Sequence, residues 1–200
     1  MRTAEPPATL ERDGYVVLAG VLDPSEVASM RAAADELLAE ARRDPLWRGG
    51  GTLHLDDVAG VPAFAPAWQS RRLLEAVWSL LGSGGRATRV HFRAPLPGHG
   101  AQVLHADWPE PIAPHCEQVA TAIVALVDFT EANGATRVIP GSHVFPRVAV
   151  PTNPAIAFPG ERIVTCRAGD ALVFSGHLRH GGTQNRSDAR RDSLQMSFSR

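Results

Sequence analysis

There is no lysine among the 200 residues; all twenty basic side chains are arginines. A lysine Schiff base or amine nucleophile is therefore excluded. Cysteine is scarce as well. Cys116 and Cys166 lie far apart and form no Cys-x-x-Cys pair, which excludes a disulfide framework and a four-thiolate zinc site. Long apolar runs are missing. The stretch from Val58 to Trp68 is broken by prolines and falls well short of the about 20 residues a bilayer span requires. Excess charge of either sign is absent too, with 20 basic against 21 acidic side chains. No field of one sign calls for nucleic acid or a membrane. The first twenty residues mix Arg2, Glu5, Glu11, Arg12 and Asp13 with two prolines, unlike a signal peptide. A cytoplasmic location is expected. What the chain does have is an ordinary apolar fraction of 44%, enough for one packed core, and eight histidines that invite chemistry.

The first third reads as helical. Asp23-Pro24-Ser25-Glu26 is a start signal, with Asp23 as cap, Pro24 at the first helical position and Glu26 closing a capping box. Val27, Met30, Ala34, Leu37, Leu38 and Ala41 then recur at helical spacing. A second helix is expected from Gln69 to Leu81, ended by Gly82, with a loop marked by Gly49-Gly50-Gly51 and Pro62 to Pro66 between the two. From Arg89 onward, short β-branched or alternating segments are separated by proline and glycine. Strands are expected at 14–19, 89–94, 101–107, 119–128, 135–139, 162–166, 171–175 and 193–199. Helices followed by many short strands predict an antiparallel sandwich or barrel with helices on one face. The whole chain, 1–200, reads as one domain, its helical part 20–82 packed on a β part 89–200.

His105-Ala106-Asp107 is the first candidate site. Residues two apart on a strand share a face, so an imidazole and a carboxylate project together. One further histidine would complete the two-histidine, one-carboxylate triad of non-haem iron oxygenases. His177 and His180 are both candidates. Beyond them, Arg191 and Ser193 share a strand face, and a guanidinium with a hydroxyl can clamp a terminal carboxylate. The ordered set is far more specific than the bare His-x-Asp tripeptide.

These motifs resemble the phytanoyl-CoA dioxygenase family of Fe(II)/2-oxoglutarate-dependent oxygenases. The resemblance extends from Asp13-Gly14-Tyr15-Val16-Val17-Leu18 through His105-Ala106-Asp107-Trp108 and Asn133-Gly134-Ala135-Thr136-Arg137-Val138-Ile139-Pro140-Gly141-Ser142-His143. It continues over Gly169-Asp170 to Phe174, His180-Gly181-Gly182, Asn185-Arg186-Ser187 and Arg191. It implies a mainly β fold with N-terminal helices, the double-stranded β-helix or cupin-like jelly-roll. It implies His105, Asp107 and His180 as iron ligands, and Arg191 on the far carboxylate of 2-oxoglutarate with Ser193 as second contact. It also implies consumption of O2, release of succinate and CO2, and hydroxylation of an unactivated C–H bond. The carboxylate of Asp107 stands where related halogenases have a small residue, which favours hydroxylation over halogenation. Desaturation, epimerisation and cyclisation use the same ligands. Two rivals are a metal-dependent cupin that ignores 2-oxoglutarate and a non-catalytic metal-binding jelly-roll module.

Other polar residues have plainer expectations. His54 and Gln102 are candidates for contact with co-substrate or substrate, and Arg93 for contact with substrate. His143 reads as structural, His177 as a solvated loop or pocket-rim residue, and Trp108 as a wall of the site. His115, Cys116 and Cys166 are too scattered for zinc. The loops 48–66, 108–118 and 144–159 are expected to choose the substrate. Their Pro109, Pro111, Ile112, Pro114, Phe145, Pro151, Pro154, Ile156 and Phe158 favour a small to medium, partly apolar metabolite or natural-product intermediate. The compact length points to trimmed loops and a relatively open site. A monomer or homodimer is expected.

Overall fold

The computed structural model describes residues 6–41, 50–108, 116–144 and 149–200. In chain order the elements are α1 Pro6–Asp13, β1 Tyr15–Leu18, α2 Pro24–Ala41, β2 Thr52–Leu55, α3 Ala65–Gln69 and α4 Arg71–Leu81. They continue with β3 Arg86–Pro95, β4 Val119–Ala125, β5 Thr136–Val138, β6 Arg162–Val164, β7 Ala171–Ser175, β8 His180–Gly182 and β9 Ser193–Ser199.

The start of α2 is built as its sequence predicts. Asp23 Oδ1 accepts the Ser25 and Glu26 N–H groups at 2.8 and 2.9 Å, and Glu26 Oε2 accepts the Asp23 N–H at 2.8 Å. The Ser25 hydroxyl and these N–H groups hold the Asp23 carboxyl below its ordinary range. Val27, Met30, Ala34 and Leu38 form the buried stripe. The second expected helix is α4, which starts at Arg71 instead of Gln69 because Ser70, at φ −59°, ψ 115°, precedes it; the short α3 before it begins inside the stretch Pro62 to Pro66 that was expected as loop. Gly82, at φ 80°, ends α4 by donating to the Trp78 carbonyl at 2.8 Å.

The strands form two antiparallel sheets, ordered β1-β7-β4-β9-β3-β2 and β6-β5-β8. This is the jelly-roll. Alternation divides the large sheet between two surroundings. Ala120, Ala122 and Val124 of β4, with Leu194, Met196 and Phe198 of β9, pack against the buried stripes of α2 and α4. Ile123, Leu172 and Phe174 face the other way, onto Val138 and Val164 of the small sheet. The helical layer is further pinned by charge. Asp192, wholly buried, takes Arg190 Nε at 2.8 Å and lies 3.5 Å from Arg31 of α2, while Arg190 also pairs with Asp35.

The expected strand 101–107 is not a regular strand. Gln102 and His105 reach β8 through separate hydrogen bonds, and Trp108 then turns away to donate to the Gly176 carbonyl at 2.9 Å. Segments α1, β2 and β8 were not expected. Among the described residues, no helix is long and apolar enough to cross a membrane.

Candidate metal centre

The site starts from three residues of β8. His180-Gly181-Gly182 lies against segment 100–105 with no room for side chains at its glycines. A Cβ on Gly182 would sit 2.6 Å from the Gly100 carbonyl oxygen, and one on Gly181 would sit 3.1 Å from the carbonyl oxygens of Gln102 and Val103. The two glycines therefore let the chains approach closely enough for His105 and His180 to exchange backbone hydrogen bonds at 2.8 and 2.9 Å. Facing residues of such a bridge point the same way. Their rings lie 4.5 Å apart between centroids.

Both imidazoles are oriented by the same device. His105 Nδ1 donates to the Val103 carbonyl at 2.8 Å, and His180 Nδ1 to the Leu178 carbonyl at 3.0 Å. With the proton on Nδ1, each Nε2 presents a lone pair. Burial, ahead of any charge, lowers the pKa of His180 and keeps its ring neutral. Asp107 supplies the third donor. Its Oδ2 accepts the Thr121 hydroxyl at 2.6 Å, leaving Oδ1 at 3.6 Å from His180 Nε2 and 4.0 Å from His105 Nε2. One ligand atom from each of the three residues lies within 4.8 Å of the others. Two neutral nitrogens and a carboxylate on one face, with their other polar atoms tied back, suit a divalent transition metal.

These donors open on a cavity of about 210 Å³ whose wall is largely polar. Arg191 lines it too. Its guanidinium lies over the Phe129 ring at 4.3 Å, it is only 4% exposed, and its Nε and Nη1 have no hydrogen-bond partner in the protein. Burial, then the charge of Arg93, pushes its pKa down to about 10. A buried cation with idle donors is costly unless an anion comes to it. Arg191 is thus a ready carboxylate site.

The remaining predicted residues fall differently. Gln102 lines the cavity, its carboxamide oxygen accepting the Gly182 N–H at 3.0 Å. Ser193 is fully buried, and its hydroxyl donates to the Arg93 carbonyl at 2.9 Å instead of lining the cavity. Gln195 and Ser197, further along the same face, do line it. His54 sits on the edge strand β2, opposite Arg93, with its ring stacked on His91 at 6.5 Å and outside the cavity wall. His177, expected as a solvated loop or pocket-rim residue, is buried and outside the cavity wall: it follows the β7 core strand and its N–H donates to Ser175 Oγ at 3.3 Å. His143 Nε2 meets the Glu11 carbonyl at 3.2 Å beside Gly14. Cys166 lies in the core between the sheets, its thiol pushed up to about 12 by burial. Trp108 is 39% exposed. His115, Pro109, Pro111, Ile112, Pro114 and Phe145 lie outside the described residues. Pro151, Pro154, Ile156 and Phe158 do not line the cavity. Thr121 was missed by sequence reasoning, although a hydroxyl inside the apolar run of β4 is a visible signal.

The jelly-roll with this donor set defines a class: Fe(II)/2-oxoglutarate-dependent dioxygenases. The sequence matches the phytanoyl-CoA dioxygenase (PhyH) family over residues 10–193, and the chain belongs to that family. It is 33% identical to dioxygenase ALT11 of Alternaria alternata, over 94% of this chain and 68% of that one. It spans about two thirds of the length of such relatives. Among solved structures, the epimerase SnoN, held with Fe3+, alpha ketoglutarate and nogalamycin RO, is 26% identical with a TM-score of 0.74, covering 96% of this chain and 81% of that one. HygX from Streptomyces hygroscopicus, with nickel and 2-oxoglutarate bound, has a TM-score of 0.78 at 19% identity, covering 98% and 86%. At that identity the likeness shows the fold alone.

Proposed function

We propose that this chain, acting as one catalytic domain, hydroxylates an unactivated C–H bond of a small to medium metabolite or natural-product intermediate. In this reading His105, Asp107 and His180 hold Fe(II), and Arg191 holds the far carboxylate of 2-oxoglutarate. The observation that carries it is the convergence of two Nε2 lone pairs and Asp107 Oδ1 on a cavity that also contains an unpaired, buried Arg191. Fe(II) held there would supply, with 2-oxoglutarate and O2, the oxidation of a C–H bond to an alcohol coupled to conversion of the co-substrate to succinate and CO2.

The chain's own part is orientation. The Val103 and Leu178 carbonyls fix which nitrogen of each imidazole carries the proton. Thr121 holds one oxygen of Asp107 and so aims the other. Arg191, anchored through its N–H to the Pro95 carbonyl at 3.1 Å, fixes one end of the co-substrate. Phe174 and Ile123 of the jelly-roll core form an apolar part of the cavity wall, and the Phe174 ring packs against His180 at 4.5 Å between centroids.

The test is succinate release from 2-oxoglutarate by the Fe(II)-loaded protein in air, over a screen of candidate substrates. Substrate-stimulated succinate, lost in His180→Ala, is the expected result; a folded protein that forms none with any metal contradicts the reading. Epimerisation is the second reading, favoured by the likeness to SnoN. Product mass separates the two: hydroxylation adds one oxygen atom and epimerisation adds none.

A further inference from the structure

The cavity holds more positive charge than its proposed occupants use. Arg89, Arg93 and Arg191 all line it. Arg89 is paired at the rim with Asp56, 2.9 Å away. Asp107 is the single carboxylate in the described wall. Fe(II) and the dianion of 2-oxoglutarate cancel, and the two aspartates offset two arginines. One cation is left over. Arg191 has its assignment, which leaves Arg93 as the cavity arginine with neither an ion pair among the described residues nor an assigned ligand. Its Nε is buried with no hydrogen-bond partner in the protein.

Arg93 is also well placed. After burial, its charge is what most depresses the pKa of Arg191, and it acts in the same direction on His180. It therefore stands near both the clamp and the metal ligands. Two residues along the same strand face is His91, whose Nε2 lies 3.2 Å from Gln195 Oε1. With that nitrogen donating, Nδ1 is an acceptor, and it is buried without a partner. Burial, then Arg89, lowers the pKa of His91, so the ring is neutral near pH 7. The wall thus offers a free cation beside a free neutral acceptor. That differs from the partly apolar substrate expected from the loops.

The geometry points to a carboxylate-bearing substrate, with Arg93 holding the carboxylate and His91 Nδ1 accepting a hydrogen bond from a nearby hydroxyl or amine. This rests on the iron reading above. Arg93 is here a specificity-determining residue, distinct from the co-substrate clamp.

The test uses the visible band of the anaerobic Fe(II)/2-oxoglutarate complex, titrated with butanoate, hexanoate and benzoate and with their primary amides. At least one acid should perturb the band and bind roughly 10-fold or more tightly than its amide, the scale of a charge-assisted bidentate contact. In Arg93→Gln that preference should fall to within about 2-fold, and Arg93→Lys should retain part of it. The Kd of 2-oxoglutarate, read from the same band, should weaken far more in Arg191→Gln than in Arg93→Gln. Three results overturn the proposal: acids that bind no better than amides, acids that bleach the band by displacing 2-oxoglutarate, or Arg93→Gln weakening 2-oxoglutarate as much as Arg191→Gln. A wild-type protein with no band fails earlier, at the iron reading, and takes this inference with it.

Discussion

The two faces of the large sheet are made from the same strands and do opposite work. On β9, Leu194, Met196 and Phe198 are fully buried against the helices, while Gln195 and Ser197 alternate with them and line the cavity. On β3, Val90, Phe92 and Ala94 face the helices, while Arg89, His91 and Arg93 face inward. The inner face also changes along the sheet. Its β7 and β4 side carries Leu172, Phe174 and Ile123, and its β9 and β3 side carries the polar set. The outer face stabilises the fold by removing apolar area from water. The inner face keeps buried nitrogens idle at Arg93, Arg191 and His91, which costs stability and reserves those groups for ligands.

Substitutions on the two faces should therefore separate stability from binding. The largest effect is expected on the outer face, where Phe198→Ala should lower the unfolding free energy by about 3–5 kcal/mol. Denaturant unfolding checks it, and co-substrate affinity of the folded fraction should not follow. On the inner face, Arg191→Gln should raise the Kd of 2-oxoglutarate on the order of 10- to 100-fold. Its Tm should hold or rise, because an unpaired buried cation has been removed; a large drop in Tm would show that the arginine is structural. Thr121→Val should weaken divalent-metal affinity by roughly 10-fold, since it frees one oxygen of Asp107. Equilibrium dialysis against Mn(II) or Co(II) reads this directly.

The smallest effect is a pH dependence. Burial is the first cause of the lowered pKa values of His91 and His177. Above the unfolded value of about 6.5, both states are neutral and stability is flat. Below it, the unfolded chain binds protons that the native rings refuse, so stability is lost until the folded values are reached. The Tm of the metal-free protein should thus fall as pH drops from about 6.5 to 5. A Tm that rises on acidification contradicts these neutral, buried rings.

Legibility in the sequence follows the range of the interactions involved. The cap of α2 and the presence of strands at β4, β7 and β9 rest on neighbours a few positions apart, and they were readable. Strand β8 was not, because His180-Gly181-Gly182 carries turn-like glycines and becomes a strand only through β5 and segment 100–105. Helix α1 is eight residues long and opens on two prolines, and β2 is too short for a period to emerge. His105, Asp107 and Arg191 were singled out by spacing and resemblance together. Arg93 was named as a possible substrate contact, but Thr121 and His91 were not singled out, since their roles depend on what faces them across the sheets. His177 and His180 are three positions apart, yet only one joins His105 and Asp107 in a common cluster.

The central claim is that this cluster, with His180 and without His177, holds iron and co-substrate together. Its most direct test is the visible spectrum of the protein with Fe(II) and 2-oxoglutarate under anaerobic conditions. The account predicts a charge-transfer band in the wild type, retained in His177→Ala and absent in His180→Ala. A band that survives in His180→Ala and disappears in His177→Ala would contradict it.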